Sequence, residues 1–182
     1  MFGGSNMAPL YLVGSPAMLC LMNWDTQRPV IDDGSYENWL EGTRLLQSAI
    51  KCVPIDVTIV AAGHDDPERM PVEEAIASLK AEGIARVFIA GNYIEDEIVS
   101  FANSLIACSI ETTVLFDVCG TRDPMAKWQA LAAIVDQGAK VSTVQQTLRQ
   151  VSNELPDPAA RAKLLAVLHE GMGEHAVELS AA

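Results

Sequence analysis

Apolar residues along this chain gather in short runs, and between the runs they recur at every third or fourth position. The runs are residues 17–23 (AMLCLMN), 55–62 (IDVTIVAA), 85–91 (ARVFIAG), 111–117 (ETTVLFD) and 140–144 (KVSTV). Each is shorter than an ordinary helix and gives way to turn chemistry, so each predicts a strand. The stretches between them predict helices. Over 36–51, Trp39, Leu40, Thr43, Leu46, Ala49 and Ile50 share one face, with Ser35 as a candidate cap and Pro54 as the stop. Over 72–82, Val72, Ala75, Ile76 and Leu79 turn inward, and Gly83 closes the helix. Ile98, Val99, Ala102, Leu105 and Ile106 mark the next one. Pro124 suits a helix start, and Trp128, Leu131, Ala132 and Val135 mark the helix that follows. Two helical segments, 145–153 and 157–170, finish the pattern; the last carries Leu164, Leu165, Val167 and Leu168 for packing on the domain or on a second subunit. Residues 1–16 read as an irregular arm.

Strands alternating with helices of this length imply a parallel sheet covered on both faces. The expected fold is therefore α/β: three layers, with a mostly parallel sheet of five or six strands between helices. A chain of 182 residues makes one domain the natural reading, over 1–182, with the helices of 145–182 at its end. Composition agrees. Hydrophobic residues are 49% and aromatics 5%, so Ala, Val, Ile and Leu fill the interior, as in helix-covered parallel sheets.

Charge narrows the partners. A net charge of −12 argues against nucleic acid and anionic membranes, which need a cationic surface. No window approaches the ~20 apolar residues of a membrane span. The first residues lack a basic region and are interrupted by Gly14, Ser15 and Pro16, unlike a signal peptide. The four cysteines form no CxxC or zinc-ligand spacing; Cys20, Cys52 and Cys108 read as small buried hydrophobes. A chain without a disulfide framework fits a reducing compartment, and a cytoplasmic protein is expected.

In open α/β sheets, ligands sit just past the carboxyl ends of the strands. Asp25 follows the first predicted strand, and His64, Asp65 and Asp66 follow the second. The third runs through Gly91 into Asn92, Tyr93 and Ile94 and then Glu95, Asp96 and Glu97. Three acids at a helix start have a plain explanation, because each carboxylate there contributes about 0.3–1 kcal/mol against the helix dipole. Cys119, Gly120 and Thr121 form the exit of the fourth strand.

Three stretches carry a resemblance that sharpens this. MLCLMNWDTQRPV resembles a first strand ending in an Asp-x-Gln motif, with Asp25 and Gln27 on it. GIARVFIAGNYIEDEIVSFANSLIACSIETTVLFDVCGT resembles a nucleophile strand and the strand after it, without gaps, including Asp117, Gly120 and Thr121. KWQALAAIVDQGAKVSTV resembles the helix and short strand that follow. Together they cover about two thirds of the chain and resemble the isochorismatase-like cysteine hydrolases. The resemblance implies their Rossmann-like sheet and their chemistry. In that chemistry a cysteine attacks an amide or related bond, an aspartate activates the thiol and a lysine supports the charge. Backbone N–H groups of a turn shaped by a non-proline cis peptide hold the oxyanion.

Carried over residue by residue, Asp25 takes the aspartate's place, and the nucleophile's place falls on Glu97. The interval that holds the family's lysine is only HDDPERMPVEEAIASLK; its extra loop and short strand read as deleted, Lys80 suits a solvent-facing position, and Arg69 is a poor match. The resemblance thus implies a catalytically degenerate member acting as a binding, regulatory or partner subunit. The alternative is a hydrolase of small amides or related C–N and C–O bonds that uses Asp25 and Glu97 or a metal. Trp24, Gln27, His64, Asn92, Tyr93, Ile94 and Cys119 are the candidates to line a pocket for a small-molecule ligand. No cofactor is expected. His64, Asp65 and Asp66 read as a solvated turn, with a hard cation on their oxygens as the alternative. The resemblance also implies oligomerisation, as a homo-oligomer or with a related subunit.

Overall fold

Side-chain alternation along the strands sets the layers. The protein is described by a computed structural model over residues 10–12, 15–22, 36–53, 57–61 and 70–179. In chain order its elements are β1 (Leu10–Leu12), β2 (Ser15–Met22), α1 (Tyr36–Cys52), β3 (Val57–Ala61), β4 (Met70–Pro71), α2 (Val72–Ala81) and β5 (Arg86–Gly91). A π-helical turn (Ile94–Ile98) then leads into α3 (Val99–Ala107), β6 (Glu111–Cys119), α4 (Pro124–Asp136), β7 (Lys140–Ser142), α5 (Val144–Glu154) and α6 (Pro158–Leu179). On β2, Ala17, Leu19 and Leu21 enter one core, and Met18 and Cys20 enter the other. On β5, Phe88 and Ala90 join the first, and Val87 and Ile89 the second. The first core is roofed by α1, α5 and α6, and the second by α2, α3 and α4. This is the three-layer α/β architecture that the pattern predicts.

Among the described residues the sheet has seven strands in the order β4-β3-β2-β5-β6-β7, all parallel, with β1 antiparallel on the start of β2. At the amino ends of the strands, Arg86 pairs with Glu111 at 3.3 Å and with Glu154 at 2.5 Å, and Lys140 pairs with Glu111 at 2.5 Å. This network ties the starts of β5, β6 and β7 to the end of α5, on the edge opposite the candidate site. Among the described residues no helix is long and apolar enough to cross a membrane.

The structure corrects the sequence reading in four places. Residues 10–12 are a strand, where an irregular arm was expected, and β2 begins at Ser15, with Pro16 opposite Tyr11. A proline at a strand's start removes no essential ladder bond, so it does not act as a break there. The short strand after β3 is reduced and not deleted: Met70 and Pro71 pair in parallel with Val60 and Ala61. Among the described residues no peptide bond is cis. Finally, α4 is rotated from its expected orientation. Leu131 is buried, but with Lys127, Ala130 and Ile134, whereas Trp128 and Val135 are 63% and 52% exposed. Both faces of this helix are apolar, so periodicity alone does not choose between them. The last helix packs on the chain itself, with Leu164 and Leu168 in the first core. Lys80 is exposed, as its spacing suggests.

Candidate active site

Strand order decides which exits meet. The chain passes from β2 to β3 on one side and then returns to β5 on the other, so the order reverses at β2. A crevice opens at the carboxyl ends where an α/β sheet makes such a switch. Met22 is level with Val60 on one flank and with Gly91 on the other. In sequence, Trp24, Asp25 and Gln27 follow β2, whose end adjoins that of β5 before Asn92 and Tyr93, whereas His64, Asp65 and Asp66 follow β3, which lies on the far side of β2 from β5. Those six residues lie outside the described residues. Among the described residues no three histidine, cysteine or acidic side chains group as a metal site requires.

The described half of the crevice is the turn after β5. Tyr93 stands in the left-handed region at φ 57° and ψ 71°, an outlier conformation for a bulky side chain. Such strain persists only where neighbours over-determine it. Here the Arg122 guanidinium lies 3.9 Å from the centroid of the Tyr93 ring. The backbone is laced to the exit of β6: Gly120 N–H donates to Gly91 O at 2.9 Å, and Ile94 N–H donates to Gly120 O at 3.0 Å. The following turn is π-helical, and Ile94 and Ile98 at its ends are fully buried in the second core. Ile94 is thus a core residue. The acids between them remain on the outer arc, with Glu95 and Glu97 half-buried and Asp96 exposed. π-turns of this kind recur at functional sites.

Arg122 organises these acids, and the sequence reading missed it. Its guanidinium donates to Asp96 Oδ2 at 2.6 Å, and its backbone N–H donates to Glu95 Oε1 at 2.7 Å. Glu95 Oε2 is buried without a hydrogen-bond partner among the described residues. The available signal was position: Arg122 follows the Gly-Thr exit of β6, and β6 lies beside β5. Lys127 was missed as well. It is buried under α4, and its Nζ donates to Cys119 O at 3.3 Å.

Cys119 ends β6 with 1% exposure, and its thiol donates to Leu115 O at 3.1 Å. Burial pushes that thiol up to about 12. A buried neutral thiol held on a carbonyl is inert as a nucleophile. Between the Ile89–Val114 pair and the Gly91–Cys119 pair the ladder shifts register, and such bulges re-aim side chains. Asp117 sits in this bulge. Both of its oxygens accept from Val144 N–H, at 3.0 Å each, at the amino end of α5. Burial raises its pKa to about 6, with the Val144 N–H pulling the other way. Asp117 thereby anchors a helix, and the Thr143 hydroxyl caps the same end by accepting from Gln146 N–H at 3.1 Å.

The sequence matches no family model, and no curated protein matches it. Solved structures do. The YcaC gene product of Escherichia coli, an octameric hydrolase of unknown specificity, superposes with a TM-score of 0.65 at 16% identity over 91% of this chain and 95% of its own. YcaC from Pseudomonas aeruginosa gives 0.65 at 15% identity over 90% and 94%. An isochorismatase-like hydrolase from Alkaliphilus metalliredigens gives 0.53 at 16% identity over 73% and 96%. At these identities the likeness is one of architecture, and the chain carries the isochorismatase-like hydrolase fold.

Proposed function

We propose that this chain is a catalytically degenerate bearer of the fold, a cytoplasmic binding, regulatory or partner subunit whose crevice no longer performs cysteine hydrolysis. One observation carries the reading. The position that the resemblance assigns to a nucleophilic cysteine is Glu97, half-buried in the π-turn, and the thiol at the neighbouring strand exit, Cys119, is sealed in the core. A carboxylate attacking an amide leaves an anhydride, and an aspartate beside it raises the pKa of one of the two acids instead of activating it. The Ile94 N–H at the turn is already bonded to Gly120 O, which removes one donor from any oxyanion hole there. Lys80 stands exposed on α2. All four cysteines are free, which suits a reducing compartment.

A subunit of this kind works in an assembly, as a homo-oligomer or beside an active relative, and it retains the crevice for a small-molecule ligand. The second reading, a hydrolase using Asp25 and Glu97, draws support from the register that brings their strand ends together. Purified protein and Glu97→Ala, assayed on small amides, ureides and vinyl ethers with and without divalent metal, separate the two. The expected outcome is no turnover by either protein. Turnover by the wild type that disappears in Glu97→Ala establishes the hydrolase instead.

A further inference from the structure

Helix α4 has a second apolar face that stands exposed among the described residues. Met125, Trp128 and Val135 are 67%, 63% and 52% exposed, and Ala132 between them is exposed as well. Among the described residues, three of the four large apolar side chains left exposed lie on this one stripe. Their spacing of three, four and three residues is that of a helix–helix seam. Singly exposed apolar residues need no explanation, but a contiguous row of them marks an interaction surface.

We propose that this stripe is the core of a two-fold interface with a second copy of the same chain, in which two α4 helices pack antiparallel. The pattern is self-complementary. Met125 and Val135 lie symmetrically about the level of Ala130, and so do Trp128 and Ala132. A two-fold axis at that level sets Trp128 on the partner's Ala132, the largest side chain over the smallest, and Met125 on the partner's Val135. By symmetry each contact occurs twice, as an isologous interface requires.

Charge selects the same arrangement. Asp136 ends α4, where the helix dipole opposes a carboxylate. Across the axis it falls level with the partner's Pro124, at the amino end of the facing helix, where the dipole favours it. A mismatch within one chain becomes a match between two. The chain also carries −12 overall, so two copies approach most easily through a face with few charges, and no charged residue interrupts the stripe. A basic foreign partner would suit the net charge but not an uncharged stripe. One 13-residue helix is only the centre of such a contact, because a standard interface takes about 800 Å² from each partner. The inference stands whether or not the crevice is active.

Sedimentation analysis of the full chain over a wide concentration range tests it, with Trp128→Glu beside the wild type. The wild type should form a dimer or an even-numbered assembly. Trp128→Glu, at a position exposed in the single chain, should keep its circular dichroism. It should weaken the association by roughly thirty-fold or more, the loss of a central aromatic anchor. A second variant guards against misfolding. Met125→Cys with Val135→Cys should give a covalent dimer on oxidation, and Met125→Cys alone should not, since symmetry-related 125 positions are about 15 Å apart along the helix. A monomeric wild type, an unchanged assembly in folded Trp128→Glu, or no cross-link in the double variant overturns the proposal. If Trp128→Glu does not fold, the cross-link alone decides.

Discussion

Asp117 hangs from the β6 bulge with both oxygens on one helix-end N–H, and burial lifts its pKa to about 6. An aspartate in the unfolded chain titrates near ~3.9. Between those values the folded state binds more protons than the unfolded state. The stability this group contributes is therefore fully present below about 4 and lost as the pH rises through about 6. Urea unfolding from pH 4 to pH 7 should show wild-type stability falling relative to Asp117→Asn across that window; parallel curves would refute the assignment. Arg122 makes a related point about visibility. It reaches Asp96 across 26 residues of sequence, and only the adjacency of β5 and β6 brings the two together. Asp96 was legible as one of three acids in the turn after the third predicted strand, whereas its cationic partner was not, because a side chain's reach is set by which strands pair.

At the level of elements, α1 sits unusually close to β6. A Cβ on Gly42 would lie 2.7 Å from Val118 Cγ1 and 3.3 Å from Asp117 Oδ2. Gly42→Ala should therefore force the helix off the bulge and destabilise the protein by about 1–3 kcal/mol, read as a lower urea midpoint with an unchanged slope. The opposite change is expected where α5 crosses the sheet. Thr147 Oγ1 is buried without a hydrogen-bond partner among the described residues, and Thr147 lines a cavity of ≈ 20 Å³ with Leu19, Leu46, Phe88 and Leu148. Replacing an unsatisfied buried hydroxyl by a methyl removes a desolvation penalty of about 1–3 kcal/mol. Thr147→Val should raise the thermal midpoint, and a lower one would mean that the hydroxyl has a partner in solution. Neither site is legible from helical spacing. Thr43 and Thr147 simply fall on the buried faces, and the close approach at Gly42 exists only once α1 lies on β6.

For the whole molecule, strand order reverses at β2, the place where open α/β sheets bind ligands beyond the carboxyl ends of their strands. The alternation of apolar runs with helical spacing was enough to specify the α/β class, five of the parallel strands in their succession along the chain, and helices on both faces; their order within the sheet came from the tertiary structure. Backbone geometry allows a run of that length little else, and each pattern buries only one way in bulk. The acidic turn was likewise readable, because it depends on neighbours in the chain. Other features depend on distances between elements that are remote in sequence. These include β1 folding back on β2, the pairing of Met70 and Pro71 with β3, the Arg122 clamp, the burial of Cys119 and Lys127, and the outward face of α4. α4 shows why most plainly. It has two apolar faces of similar strength, so its sequence determines that a helix forms there, and only packing against the sheet decides which face is left for a partner.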